Sequence, residues 1–315
     1  MPQIQWQSNQ IDASEEADLI ELCYQHGWTD GLPVVPPTLD RVELMLTGTQ
    51  RPPDELIAQI PPKWGRATIE RIAINAVMAG CKAEYLPVVI AAVEAMTEDA
   101  FNLHGIQVTT SLVSPLLIIN GKIRKQLDIN DSFNVFGQGW RANGTIGRAM
   151  CLICTNIGGA LPGELDRATF GHAGKYTFCI AENEETSPWE PLHVERGFQP
   201  SESTTTIYAG ASPQNINDHG SNTAEGILNT ICESIAIPGT PPGESVFVIS
   251  PEHAKTIAGD GFSKRDIQQY VHEHTNLAVE EVIVIVAGGP AGRWTMAVSG
   301  WGSPTSRAVT KRIKA

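Results

Sequence analysis

Apolar stretches of strand length alternate along this chain with stretches that have the apolar spacing of helices. The apolar stretches that read most clearly as buried strands are SPLLIIN, ESVFVIS and EEVIVIV. The intervening stretches include two with helical spacing, RANGTIGRAM and SKRDIQQYVHEH. This alternation predicts an α/β protein of mixed sheets covered by helices.

The order of these elements occurs twice, which predicts two pseudo-symmetric strand-turn-helix repeats with a cleft between them. We expect an N-terminal helix over 13–27 and a proline-rich arm, both within residues 1–66. The first repeat is expected over residues 67–200, with a strand that begins at Ile72 and an acidic loop. The second repeat is expected over residues 201–315 and ends in a hairpin.

The turns near the start of the two repeats carry different reactive side chains. Aligning the repeats places Cys81 opposite Asp218 and His219, and the equivalent loops of a duplication are expected to face each other. Cys81, at a helix start beside Lys82, is predicted to be a thiolate that acts as nucleophile or thiol donor. His219 precedes a helix start, which favours the neutral imidazole of a general base. The alternatives are a buried structural cysteine and simple turn chemistry for Asp218 and His219.

An acidic stretch, AENEETSPWEPLHVERG, follows a predicted strand. Crowded carboxylates must be solvated, paired with basic groups or bound to a cation. The prolines, Trp and His of this stretch are unusual in a solvated loop. We therefore select Glu182 and His193 as an acid/base pair or as ligands of a divalent metal, with a solvated loop as the alternative.

Three polar side chains near the start of the predicted helix in RANGTIGRA are candidates for substrate binding: Arg141, Asn143 and Arg148. Arginines suit a carboxylate or a phosphate because they form bidentate hydrogen bonds, and a helix N-terminus favours the same charge. Internal salt bridges to the acidic stretch are the alternative.

The composition and charge of the chain argue against some classes of binding partner. The 315 residues carry a net charge of -13, which disfavours nucleic acid because such binding depends on Lys and Arg. No apolar stretch approaches the roughly 20 residues that span a bilayer, and the N-terminus lacks the features of a signal peptide. We therefore expect a cytoplasmic protein without membrane contact, and a homo-oligomer is compatible with the sequence. The six cysteines lack the spacing of a disulfide scaffold or a zinc site.

Several motifs between Trp28 and Trp301 carry a resemblance to a known family: DGLPVVPPT, MAGCKAEYLPVV, GWRANGTIGRA, ENEETSPWEPLH, NINDHGSNTAEG and VAGGPAGRW. The chain resembles a bacterial family whose members are similar to proteins that carry or accompany a small selenocysteine-Gly-Ser-Cys (UGSC-type) redox domain. The resemblance implies that any redox partner would be a separate protein, because this chain has no UGSC-like segment. It implies no particular reaction.

Together these features predict a small-molecule enzyme that cleaves a carbon-heteroatom bond, as a hydrolase or a lyase, in a polar and anionic metabolite. The expected catalytic residues are Cys81, His219, Asp218, Glu182 and His193. One alternative is a thiol- or selenol-coupled reductase component. Another is a non-catalytic metal-binding or assembly protein.

Overall fold

A computed structural model of the protein describes residues 6–14, 16–235, 243–302 and 305–314. The α-helices are α1 (Leu19–Gln25), α2 (Leu39–Leu46), α3 (Ile69–Ala79), α4 (Leu86–Met96), α5 (Leu103–Val108), α6 (Ile123–Gln126), α7 (Arg141–Asn156), α8 (Leu192–Glu195), α9 (Ala224–Ile235), α10 (Pro251–Gly259) and α11 (Lys264–His274). The strands are β1 (Leu56–Ile60), β2 (Gly65–Thr68), β3 (Ser114–Asn120), β4 (Cys179–Ala181), β5 (Thr204–Gly210), β6 (Gln214–Asn217), β7 (Ser245–Ile249), β8 (Val282–Val286), β9 (Trp294–Ser299) and β10 (Val309–Arg312). Short 3-10 helices occupy Ala83–Tyr85, Asp99–Phe101, Ala173–Lys175 and Val279–Glu281. The chain is an α/β protein with mixed sheets.

Two four-stranded sheets form the centre of the molecule and have the same strand pattern. The first sheet has the order β10-β5-β3-β4 and the second has the order β6-β9-β7-β8. In the first sheet β3 and β4 are parallel, and in the second β7 and β8 are parallel. The other neighbours in both sheets are antiparallel. A separate antiparallel pair is formed by β1 and β2.

In each sheet, one outer strand comes directly after a strand of the other sheet along the chain. The strand β6 follows β5 along the chain but pairs with β9, whereas β10 follows β9 but pairs with β5. The predicted C-terminal hairpin is wrong, because β7 lies between β8 and β9. Both β5 and β10 belong to the first sheet, so that sheet extends past the boundary expected at residue 200.

The two sheets pack face to face, and helices cover their outer faces. The layer between the sheets contains Leu116, Ile118, Ile180, Tyr208, Val246, Val248, Ile283, Ile285 and Val298. Residues of α3, α4 and α7 pack on the outer face of the first sheet, and residues of α9, α10 and α11 pack on that of the second. The architecture is therefore helix-sheet-sheet-helix, and the halves meet through a packed apolar layer rather than through the open cleft expected from the sequence.

The strands β3, β7 and β8 are apolar over most of their length because both of their faces are covered. Every residue of β3, β7 and β8 is buried. The strand predicted at Ile72 is instead part of α3, which begins where the Thr68 side chain accepts a hydrogen bond from the Arg71 N–H and ends at Gly80 with φ of 90°. Nearly all of α3 is buried, so it shows little of the polar face by which a helical period is recognised.

The N-terminal helix α1 is shorter than the predicted 13–27, because the Asp18 side chain caps it and Gly27 follows its end with φ of 67°. Residue 15 of that prediction lies outside the described residues. Across the described part of the chain, no helix combines the length and the apolar character needed to cross a bilayer.

Candidate functional site

A row of polar side chains crosses the first sheet where the parallel strands β3 and β4 end. Asn120 is the last residue of β3 and pairs with Thr204, the first residue of β5, while Glu182 directly follows β4. Because side chains alternate along a strand, these three share the face of Ile118, which packs against the second sheet. All three are completely buried. The row therefore lies at the edge of the layer between the sheets.

Glu182 has one oxygen fixed and one free of hydrogen bonds. Its Oε2 accepts hydrogen bonds from Asn120 Nδ2 at 2.6 Å and from the Leu192 N–H at 2.8 Å. Its Oε1 accepts none from the described residues, although Lys264 Nζ lies 3.6 Å away. Burial raises the pKa of Glu182, and the charge of Lys264 and the two hydrogen bonds oppose that rise. A carboxyl group with a raised pKa is better suited to proton transfer near neutral pH.

His193 lies in the single turn α8, and its ring is also buried. Neither ring nitrogen has a hydrogen-bond partner in the described ranges, and Nδ1 is 3.9 Å from Glu184 Oε1. The same Glu184 oxygen accepts a hydrogen bond from Asn120 Nδ2 at 3.0 Å. Asn120 thus bridges Glu182 and Glu184, and Glu184 lies next to His193. The side chains selected from the acidic stretch are therefore brought into one group.

We call this group the Glu182 cluster; its members are Asn120, Glu182, Glu184, His193, Thr204 and Lys264. Its buried atoms without a hydrogen-bond partner among the described residues are Asn120 Oδ1, Glu182 Oε1, Thr204 Oγ1 and both ring nitrogens of His193. Leaving a buried polar group without a partner costs about 1–3 kcal/mol. Such a concentration of unpartnered atoms calls for a physical explanation.

A buried guanidinium holds the carboxylates beside the cluster in place. Arg124 pairs with Asp131 at 2.9 Å, with Glu184 at 2.9 Å and with Glu185 at 3.0 Å. It also donates to the main-chain carbonyl of Glu182 at 2.8 Å. Most of the charge of the acidic stretch near β4 is therefore paired with basic groups, although Glu185 and Glu190 remain exposed.

The cluster combines residues from both halves of the chain. Lys264 is the first residue of α11, in the second half, and pairs with Glu195 at 3.3 Å. The segment after β4 also crosses to the second sheet, where the Asn183 N–H donates to the Val286 carbonyl at 2.7 Å. These contacts fix the acidic stretch at the junction of the two halves.

Asp218 and His219 are placed differently from the prediction. Asp218 Oδ1 accepts hydrogen bonds from the N–H groups of Gly220 and Ser221, and Oδ2 accepts one from the Thr230 hydroxyl. Burial would raise the pKa of Asp218, but these hydrogen bonds hold it below its ordinary value. His219 is exposed, with its ring edge-on to Trp294. Asp218 therefore stabilises a turn, which is the alternative considered from the sequence.

Cys81 is a core residue of the first half. Its N–H bonds to the Ala76 carbonyl, so it belongs to the end of α3, and its Sγ donates to the Thr145 carbonyl at 3.3 Å. Burial raises the pKa of Cys81 to about 12, which is opposite to the thiolate expected from the sequence. No contact between described residues joins Cys81 to His219, which lies against the second sheet. The expected thiol-imidazole pair is not assembled.

The predicted substrate clamp is used inside the protein. Arg148 forms two hydrogen bonds with Asp30, at 2.8 and 2.7 Å, and so anchors the proline-rich arm. Asn143 exchanges two hydrogen bonds with the main chain of Asn130, at 2.7 and 3.0 Å. Arg141 Nε donates at 3.0 Å to the carbonyl of the residue that follows α3. The structure does not bring these three side chains to the Glu182 cluster.

Glu182 and His193 were also candidates for a metal site. Within the described ranges, no three or more His, Cys, Asp or Glu side chains are placed to hold a metal ion. A protein metal site ordinarily uses at least three such ligands.

Sequence reasoning did not select Asn120, Thr204, Arg124 or Lys264. Asn120 is the last residue of the predicted strand SPLLIIN. The sequence feature that could have identified Asn120 as a site residue is its position at the end of a buried strand. Ligand sites of α/β proteins lie at the carboxyl ends of parallel strands. Lys264 carries no comparable signal, since only the tertiary fold brings α11 to Glu182.

Comparison of the chain with known protein families and with curated proteins gives no match. Inference about its chemistry therefore depends on the geometry of the Glu182 cluster.

Proposed function

We propose that the chain is a small-molecule enzyme in which Glu182 and His193 transfer protons while a carbon-heteroatom bond of a polar metabolite is cleaved. The observation that carries this proposal is the buried carboxyl oxygen of Glu182 and the buried imidazole of His193, neither of which has a hydrogen-bond partner among the described residues. Retaining both costs stability. That cost is offset where a substrate supplies the missing hydrogen bonds.

The geometry of the Glu182 cluster suits different roles for Glu182 and His193 in proton transfer. The two hydrogen bonds to Oε2 fix the orientation of the Glu182 carboxyl group and leave Oε1 to contact a substrate. Hydrolysis or elimination needs one group that removes a proton from water or carbon and one that gives a proton to the leaving heteroatom. Glu182 and His193 can fill these two roles, with Asn120 as a positioning residue for Glu182.

The charged side chains around the Glu182 cluster limit where the negative charge of an anionic substrate could bind. The carboxylates in and around the cluster are Asp131, Glu182, Glu184, Glu185 and Glu195, against the cations Arg124, Lys125 and Lys264. A substrate carboxylate placed directly at Glu182 would be repelled. If the substrate is anionic, its charge must bind outside the cluster, and Arg141 and Arg148 are already engaged elsewhere.

A second candidate function is supported by a separate observation. Arg124 has three carboxylate partners, and Lys264 and the Asn183 main chain join the two halves. The charged groups could therefore serve only to hold the fold together, in an assembly protein without turnover. In that case replacing Glu182 would change stability and nothing else.

The test is a turnover screen on the full chain. The wild-type protein is incubated with a panel of small carboxylates that carry hydroxyl, amino or ester groups, and cleavage is followed by NMR. For a substrate found in this way, Glu182→Gln and His193→Gln should each lower the rate at least about a hundredfold, while the melting temperature changes by only a few degrees. The matched control is Glu252→Gln, an exposed carboxylate next to the end of β7.

Two outcomes contradict the proposal. One is a Glu182→Gln variant that turns over the substrate at the wild-type rate. The other is a panel with no turnover together with variants that shift only the melting temperature, which is the behaviour expected of the assembly protein.

A further inference from the structure

A cavity of about 210 Å³ lies beside the Glu182 cluster, among α8, α11 and the start of β8. Its apolar lining consists of Leu192, Val279, Val282 and Ile283. Four charged side chains also line it: Glu195, Arg196, Arg265 and Glu280. The cavity is therefore apolar over part of its wall and charged over the rest.

Arg196 is a partly buried arginine of the lining that forms no ion pair with another described residue. Among the described residues, its guanidinium donates one hydrogen bond, from Nη1 to the Ala308 carbonyl at 3.0 Å. No carboxylate of the described residues lies within 4.0 Å of it, and Glu244 and Glu195 act on it only over longer distances. A guanidinium has five N–H donors in a planar arrangement that matches a carboxylate. Several donors of Arg196 therefore remain available to a ligand in the cavity.

The other charged side chains of the lining are paired or exposed to solvent. Glu195 is neutralised by Lys264 at 3.3 Å and accepts a hydrogen bond from Gln268 at 2.9 Å. Glu280 and Arg265 are both exposed and have opposite charges. The lining thus carries two cations and two anions, and of the two cations Arg196 is partly buried whereas Arg265 is exposed.

We infer that this cavity binds a small monocarboxylate, with the carboxylate on Arg196 and an apolar body against Leu192, Val279 and Ile283. A cavity of about 150 Å³ lined by apolar side chains holds benzene. The larger volume here therefore suits a ligand of about eight heavy atoms, such as a six-carbon carboxylate.

The cavity and the Glu182 cluster share a wall. The Leu192 N–H donates to Glu182 Oε2 at 2.8 Å, and the Leu192 side chain lines the cavity. Glu195, one turn further along α8, lines the cavity and pairs with Lys264, which lies 3.6 Å from Glu182. We therefore assign the bound carboxylate to the anionic end of the substrate. That assignment rests on the proposed function, whereas carboxylate binding itself does not.

The test is isothermal titration calorimetry of the full chain at about pH 7 with sodium hexanoate, hexanamide and hexylammonium chloride. These probes have the same apolar body and differ in charge. Hexanoate should bind at least about tenfold more tightly than the other two, because a charge-assisted hydrogen bond to Arg196 is stronger than a neutral one. In Arg196→Gln this preference should disappear.

The matched control is Arg167→Gln, since Arg167 is an exposed arginine that also donates a single hydrogen bond to a main-chain carbonyl. It should keep the wild-type preference for hexanoate. Comparing the three probes on the wild-type protein tests the inference even if Arg196→Gln does not fold.

Equal binding of hexanoate and hexanamide, or no binding of either, would overturn the inference. Glu182→Gln separates it from the proposed function. That variant should still bind hexanoate within about twofold of the wild-type affinity, since Glu182 does not line the cavity. Hexanoate binding by the wild-type protein and by Glu182→Gln, with no turnover of any substrate by the wild-type protein and only a melting-temperature change in Glu182→Gln, would contradict the proposed function and leave the carboxylate site standing.

Discussion

At the carboxyl end of the first sheet Glu182 follows β4, and its N–H bonds to the Ile119 carbonyl of β3. At the same place in the second sheet Ala287 follows β8, and its N–H bonds to the Ile249 carbonyl of β7. The backbone hydrogen bonds are the same at the two ends, yet one end carries a buried carboxyl group and the other a methyl group. The polar side chain is therefore not required by the strand pattern, and its presence in the first sheet needs another reason.

Two buried histidines sharpen this comparison. Near the end of the second sheet, His253 Nδ1 bonds to the Thr295 hydroxyl at 2.9 Å and Nε2 to the Asp218 carbonyl at 3.0 Å. Burial lowers the pKa of His253, and its neutral ring has a partner for each nitrogen. His193, at the first sheet, has neither partner among the described residues. The two histidines are therefore alike in burial and differ in their hydrogen-bond partners among the described residues.

The largest loss of unfolding free energy is expected when the buried guanidinium of Arg124, at the carboxyl end of the first sheet, is removed. Arg124→Met leaves Asp131 and Glu184 buried with too little positive charge, and breaking a buried ion pair in this way costs about 3–5 kcal/mol. The free energy of unfolding should fall by that amount in urea denaturation. The matched change at the second end, Arg293→Met, removes one hydrogen bond to the Ser221 carbonyl and should cost about 1 kcal/mol. Equal losses for the two variants would show that the two ends do not differ in charge pairing.

A smaller difference in unfolding free energy is expected between variants of the two buried histidines, His253 and His193. His253→Phe leaves the Thr295 hydroxyl and the Asp218 carbonyl without their partner and should cost about 2–3 kcal/mol of unfolding free energy. His193→Phe removes no hydrogen bond among the described residues and should change it by less than about 0.5 kcal/mol, or should stabilise the protein. Urea denaturation of both variants measures the contrast. A comparable loss for His193→Phe would mean that its ring is held by partners that the geometry does not reveal.

The sequence was sufficient to predict features that depend on local pattern. The strands β3, β7 and β8 were predicted because long apolar runs between polar turns identify strands buried on both faces. Glu182 was selected because it belongs to a crowded acidic stretch whose Trp, prolines and His are unusual in a solvated loop. The exchange of β6 and β10 between the sheets was not predictable, since β8 and β9 are neighbours along the chain and look like a hairpin until β7 is seen between them.

Features that depend on tertiary contacts escaped sequence reasoning or were misinterpreted. Lys264 meets Glu182 only because the two sheets pack face to face. Cys81 has the sequence context of a reactive thiol, a turn with an adjacent lysine. Packing of α3 buries it and raises its pKa to about 12. The electrostatic effect of a neighbouring charge on a thiol is smaller than that of burial here.

The smallest expected effect concerns the pH dependence of stability. Because the pKa of Glu182 is raised in the folded protein, the folded state keeps a proton that the unfolded state releases as the pH rises above the ordinary value for Glu. The stability that this proton provides is present at lower pH and is lost as the pH rises through the folded-state pKa. Glu182→Gln does not titrate, so its stability relative to wild type should improve over that range, by at most about 1.4 kcal/mol per pH unit. Urea denaturation at several pH values measures this difference. The control is Glu252→Gln, which changes an exposed carboxylate at the second end. Its free energy of unfolding should stay within about 0.5 kcal/mol of wild type at every pH. A pH-independent difference for Glu182→Gln would mean that Lys264 and the hydrogen bonds to Oε2 fully offset the effect of burial, and the two sheet ends would then not differ in proton affinity.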